Sequence, residues 1–90
     1  MQVAVDISFY PLKEHYDTPI IGFIKGLRQH KGLVVATNQL STQVSGEYDS
    51  VMSAIQTEMK ISFDEELVGA FVLKVLNVAI EPGKEVAISD

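Results

Sequence analysis

Asp6, Ser8 and Tyr10 occupy alternate positions of one short stretch, and Ser41, Gln43 and Ser45 repeat that spacing further along. A carboxylate, hydroxyls, a carboxamide and a phenol are groups that hold a small polar molecule by hydrogen bonds. Parts for attacking such a molecule are missing. The chain has no cysteine. It carries no G-x-S-x-G or Ser-x-x-Lys signature and no glycine-rich phosphate loop. His15 and His30 stand in polar surroundings without a carboxylate or histidine at ligand spacing, so both are expected at the surface, and neither a metal site nor a cofactor is expected. A basic phosphate-gripping loop and the stacked aromatics of an RNA-binding sheet are equally absent.

Asp6 carries the most interest. A carboxylate at mid-strand, once covered, must be paired or hydrogen-bonded. It either pairs with Lys74 or stays exposed, or else it holds the amine or cation of a ligand. Tyr10 stacks on a ring or caps the sheet edge. Asn38, Ser41 and Thr42 are potential ligand contacts, although polar turn residues commonly satisfy backbone groups instead.

The elements that must position these groups follow from periodicity. Gln2 to Tyr10 alternates, with Val3, Val5, Ile7 and Phe9 on one side and Ala4, Asp6, Ser8 and Tyr10 on the other, which predicts a half-buried strand ended by Pro11. Residues 12–16 form a polar connection. Asp17-Thr18-Pro19 then opens a helix, whose apolar face is Ile20, Phe23, Ile24 and Leu27 and whose stop is Gly32. Gly22 and Gly26 inside it each cost about 1 kcal/mol relative to alanine, and close packing against a neighbour is the expected reason. Leu33 to Thr37 and Thr42 to Ser45 read as short strands joined by a turn. A second helix follows Gly46, with Glu47 and Asp49 in its first turn, Tyr48, Val51, Met52, Ile55 and Met59 as its buried stripe, and Phe63 finishing the apolar run. An acidic loop, Asp64-Glu65-Glu66, leads into Val68 to Ile80, which Pro82-Gly83 closes before a polar tail.

The order strand, helix, strand, strand, helix, strand with right-handed crossovers predicts an α+β fold: a four-stranded antiparallel sheet with both helices on one face, the ferredoxin-like βαββαβ arrangement. The whole chain, 1–90, reads as one such domain. The other face is left bare, and Asp6, Ser8, Tyr10, Ser41, Gln43, Ser45 and Lys74 are placed on it. Val68 to Ile80 is apolar on both parities apart from Lys74 and Asn77, which predicts a cover on each side, the second supplied by another copy of the chain.

Composition narrows the partners. A net charge of -5 with seven scattered basic residues argues against a nucleic-acid surface. Apolar residues make up 47%, enough for a filled core, yet no run approaches the ~20 needed to span a bilayer. The chain opens directly on strand pattern, without the basic and apolar regions of a leader, so the cytoplasm is the expected compartment.

Two segments resemble the YkoF-like thiamine-binding family. They are Val5-Asp6-Ile7-Ser8-Phe9-Tyr10-Pro11-Leu12 and Ser41-Thr42-Gln43-Val44-Ser45-Gly46-Glu47-Tyr48-Asp49-Ser50-Val51-Met52. The first matches a strand ending Tyr-Pro-Leu, the second a Thr-x-x-x-Gly-acidic-aromatic-Asp-x-Val-Met segment opening the second helix. The chain departs at Ser45, where the family often has Glu, and at Lys13-Glu14, where it often has glycine. The resemblance implies a ferredoxin-like fold, assembly into dimers or tetramers, and non-catalytic binding of thiamine or its hydroxymethylpyrimidine part. Asp6 would then accept the amine or cation and Tyr10 would be the ring platform. Ser8, Asn38, Ser41, Thr42 and Gln43 would be the polar contacts. Two other readings stand beside it: an oligomerisation module without a ligand, and a small isomerase or monooxygenase using Asp6 or a histidine.

Overall fold

The computed structural model describes residues 1–12, 17–65 and 68–88. The elements run β1 (Gln2–Pro11), α1 (Asp17–Arg28), β2 (Val34–Thr37), β3 (Thr42–Glu47), α2 (Tyr48–Asp64) and β4 (Gly69–Leu76). The strands form one four-stranded sheet in the order β2-β3-β1-β4, with every neighbouring pair antiparallel. This is the ferredoxin-like α+β fold the sequence predicts.

The two-residue period of β1 decides which side is which. Val3, Val5, Ile7 and Phe9 are buried and join Val44 of β3 with Phe23 and Leu27 of α1 and Val51, Ala54 and Ile55 of α2 in one core. Cross-strand register keeps each face consistent: Val5 lies opposite Val44 and Val75, while Asp6 lies opposite Gln43 and Lys74. All four phenylalanines of the chain gather where β1 runs on past the start of β3. Phe9 stacks on its register partner Phe71 with ring centroids 4.1 Å apart, Phe23 meets Phe9 edge-on at 5.9 Å, and Phe63 meets Phe71 edge-on at 5.4 Å. Such pairs add about 0.5–1.5 kcal/mol each beyond area burial. They hold the end of β1 to β4 and to the helices where β3 no longer pairs with it.

Several boundaries differ from expectation. The last strand ends at Leu76, and residues 77–88 leave the ladder rather than extending it to Ile80. On β4, Phe71 and Leu73 turn half-buried to the helices, whereas Val72 and Leu76 on the opposite side are 59% and 41% exposed in the protomer. α1 stops at Arg28, before Gly32, which instead takes a left-handed φ of 81° in the following turn. Glu47 sits just outside α2 and caps it, its carboxylate accepting from the Ser50 N–H at 3.1 Å. Tyr48, expected in the buried stripe of α2, is 41% exposed. The connection through residues 13–16, with His15, and the loop residues 66–67 lie outside the described residues.

His30 is not isolated. Its Nε2 lies 2.8 Å from Oε2 of Glu58 on α2, a partner 28 residues away in sequence. The two helix glycines part company here. At Gly26 a Cβ would run into the Glu58 carboxylate, so this glycine makes room for the His30–Glu58 contact. At Gly22 a Cβ would meet nothing within 4 Å, and the residue lines an open cleft of about 300 Å³ between the helices. Close packing explains the first and not the second.

Gly22→Ala is therefore expected to raise unfolding free energy by about 0.5–1 kcal/mol in denaturant titration, from helix propensity alone. Gly26→Ala should fall short of that gain by about 0.5–1.5 kcal/mol because Glu58 must leave His30. The shortfall should shrink in a His30→Ala background.

Candidate functional site

The open face of the sheet starts from β1, where Ala4, Asp6, Ser8 and Tyr10 alternate with the core residues. Asp6 is half-buried at the middle of the strand, between Gln43 on β3 and Lys74 on β4. Its Oδ1 accepts a hydrogen bond of 2.6 Å from the Ser41 hydroxyl. A hydroxyl donating to a carboxylate at this length is a charge-assisted bond. Asp6 and Lys74, although register partners, make no ion pair; those among the described residues are Lys60–Asp64 and Lys84–Glu81, with His30–Glu58 a hydrogen-bonded contact that is an ion pair only when the imidazole carries both protons.

Ser41 is positioned by the turn between β2 and β3. Asn38 folds that turn around its own side chain: its Oδ1 accepts from the Leu40 N–H at 2.8 Å and the Ser41 N–H at 3.0 Å, while its N–H donates to the Ser41 carbonyl at 3.1 Å. This is an Asx turn. The Asn38 oxygen is thus committed to the backbone, and its contribution to the site is to present Ser41.

Above Asp6 lies a cavity of about 250 Å³, lined by Ala4, Val5, Asp6, Asn38, Leu40, Ser41, Gln43, Lys74, Leu76 and Ile80. It combines apolar walls with a carboxylate, a hydroxyl, a carboxamide and an ammonium, as small-molecule sites do. A second, smaller hollow of about 130 Å³ lies across the turn, where β3 begins only opposite Ile7 and leaves one edge of β1 uncovered from Ser8 to Tyr10. It is walled by Ile20, Phe23 and Ile24 of α1 and by the same turn.

The seven residues expected from the sequence split between these spaces. Asp6, Asn38, Ser41 and Gln43 line the larger cavity; Ser8, Tyr10, Asn38, Ser41 and Thr42 line the smaller. Thr42 shares the parity of Val44 on β3, is 6% exposed on the helix side, and sits 3.0 Å from the Thr37 hydroxyl. Its role is to tie β2 to β3. Sequence reading missed Ile80, which reaches the cavity from beyond β4, and Leu40, whose place in a turn gives no apolar period to detect. Among the described residues, no group of three His, Asp or Glu could hold a metal ion, and no helix is long and apolar enough to cross a membrane.

No protein-family model matches the chain, and no curated protein matches it in sequence. Solved structures do resemble its fold. Hypothetical protein MJ1052 of Methanocaldococcus jannascii aligns over 97% of this chain and 88% of its own, at 20% identity and a TM-score of 0.75. Protein SP2199 of Streptococcus pneumoniae aligns over 89% and 90%, at 18% identity and a TM-score of 0.78. Protein TM0486 of Thermotoga maritima, named for a proposed role in thiamine biosynthesis or salvage, aligns over 83% and 82%, at 18% identity and a TM-score of 0.74. At these identities the likeness establishes the fold.

Thr42→Val should cost about 0.5–1.5 kcal/mol of stability, the worth of one hydrogen bond, and leave small-molecule binding unchanged. Thermal unfolding beside a binding titration checks both halves.

Proposed function

We propose that this chain is a non-enzymatic binding protein that takes a cationic or amino-bearing heteroaromatic ligand, thiamine or its hydroxymethylpyrimidine part, on the open face of the sheet. The observation that carries the reading is Asp6: a half-buried carboxylate on a central strand, oriented by Ser41, unpaired with Lys74, at the floor of a partly apolar cavity. Thiamine joins a cationic thiazolium to an aminopyrimidine, and both features suit a fixed carboxylate acceptor. The fold shared with a protein named for thiamine biosynthesis or salvage supports the same ligand class.

The cavity of about 250 Å³ is below the ~300–1,000 Å³ common for small-molecule sites. It suits one ring of such a ligand, with the rest lying over the exposed apolar row of Val72 and Leu76. A second copy of the chain seated on this face, giving a dimer or tetramer, would wall in that remainder. The same row favours a second reading, in which the partner copy fills the face and no ligand enters. Affinity for thiamine separates the two.

Calorimetric titration with thiamine is expected to show saturable binding and a matching rise in melting temperature. Asp6→Asn keeps an acceptor for Ser41 but removes the charge, and should weaken binding at least tenfold with little change in the melting temperature of the free protein. Absence of heat and of any thermal shift with thiamine and with hydroxymethylpyrimidine would leave the oligomerisation reading in its place.

A further inference from the structure

The segment beyond β4 folds back over the open face instead of trailing away from it. Glu81-Pro82-Gly83-Lys84 makes a tight turn: the Lys84 N–H donates to the Glu81 carbonyl at 3.2 Å, and Gly83 has a φ of 76°. A left-handed glycine at the third position is what a type II turn requires, and proline at the second favours it. Such a turn consumes only the first carbonyl and the last N–H, so the Gly83 N–H is free to point elsewhere. It donates to Oε1 of Gln43 at 2.7 Å, from 40 residues away. Gly83 is also the residue that lets the turn settle on the sheet, since a Cβ there would lie 3.0 Å from the Ala36 Cβ, beside Gln43 on β2.

This contact fixes the chemistry of Gln43. A backbone N–H can only donate, so the atom facing it is the carboxamide oxygen, and the amide nitrogen is left with its donors. Asp6 is committed in a comparable way by Ser41. The Ser41 hydroxyl occupies Oδ1, and Oδ2 remains an acceptor with no further protein partner among the described residues. Asp6 and Gln43 are register partners on one face, which sets their Cβ atoms about 4.5–5.5 Å apart. An acceptor and a donor therefore stand side by side, each committed to its role by a bond from outside the pair.

We propose that the turn at residues 81–84 is a positioning element of the binding site, acting through Gln43 to select ligands whose ring edge carries an amino group beside an unprotonated nitrogen. The inference rests on the small-molecule reading of this face. The amino group donates to Asp6 Oδ2 and the ring nitrogen accepts from Gln43 Nε2. An edge bearing two donors, such as an amidinium, satisfies Asp6 but confronts the Gln43 amide with a second N–H. Gly83 is the positioning residue: without its N–H, the Gln43 carboxamide is free to present either end.

Two monocations, thiamine and benzamidine, provide the test, because nonspecific attraction to the acidic chain affects both alike. The wild-type protein is expected to prefer thiamine. Gly83→Ala strains the turn and should lower the thiamine-to-benzamidine affinity ratio about three- to tenfold, the worth of one directed hydrogen bond. Gln43→Glu still accepts from Gly83 but replaces the donor with an acceptor, and should lower the ratio further. In the unliganded protein, amide exchange followed by NMR should show Gly83 protected, and unprotected in Gln43→Leu. A wild-type Gly83 that exchanges as a free amide overturns the positioning role whatever binds. Thiamine binding with an unchanged ratio in both variants overturns it too and leaves the small-molecule reading standing. A wild-type protein with Gly83 protected that binds neither probe removes the small-molecule reading, and the selectivity with it.

Discussion

The constraint on which this molecule turns is the two-residue period of a single central strand. β1 has neighbours on both edges, so every side chain it carries is committed to one of two faces. Val3, Val5, Ile7 and Phe9 face the helices and supply the floor of the core. Ala4, Asp6, Ser8 and Tyr10 are thereby placed on the opposite side. A slip of one residue would exchange the two sets and bury a carboxylate beneath two helices, which the loss of hydration makes prohibitive. Core packing and site formation are thus one event. The apolar residues that drive the sheet onto the helices also hold Asp6 up to the open face.

The remaining parts of the site depend on that placement in turn. Ser41 reaches Asp6 because Asn38 spends its carboxamide oxygen on the turn between β2 and β3. Gln43 lies next to Asp6 because β3 pairs with β1 in a register that also matches Val5 to Val44. The phenylalanine cluster secures the far end of β1, where β3 no longer supports it. Gly46 makes the corresponding close approach at the other end of β3. A Cβ there would lie 3.0 Å from the Leu33 side chain and 3.2 Å from both the Gly32 carbonyl and the Val51 side chain, so a larger residue would force Leu33 and Val51 to shift.

Much of this was legible in the sequence because it is local. Alternation in Gln2 to Tyr10 gives the face of Asp6 directly, and helical spacing gives Phe23, Leu27, Val51 and Ile55 as core. Element order gives the topology, since right-handed crossovers leave few ways to join these strands. What stayed hidden depends on contacts between distant residues. His30 reads as solitary because Glu58 belongs to the other helix, and Gly22 and Gly26 look alike until α2 is laid beside them. Thr42 illustrates a different gap. Residue type favoured the ligand, but its parity with Val44 already placed it toward the helices, and parity prevailed. The tail was the largest omission: Pro82-Gly83 reads as the close of the last strand before a polar tail, and nothing local shows that its turn returns to Gln43.

The half-buried state of Asp6 bears on how strongly the open face can act. Near a protein surface, where an effective dielectric constant of roughly 20 applies, two opposite charges at 4 Å attract by about 4 kcal/mol, against about 1 kcal/mol in bulk water. Asp6 already has part of this advantage, with Ser41 beside it and the tail turn across the neighbouring strand. Val72 and Leu76, exposed on the same face, extend the apolar surroundings toward the sheet edge. On the proposed reading, whatever covers that row, whether the remainder of a ligand or a second copy of the chain, withdraws water from Asp6 and strengthens its attraction for a cation. Under that proposal, affinity for a ligand and closure of the face are coupled through one carboxylate. An occupant of the cavity should favour assembly on this surface, and assembly should favour the occupant by the same factor.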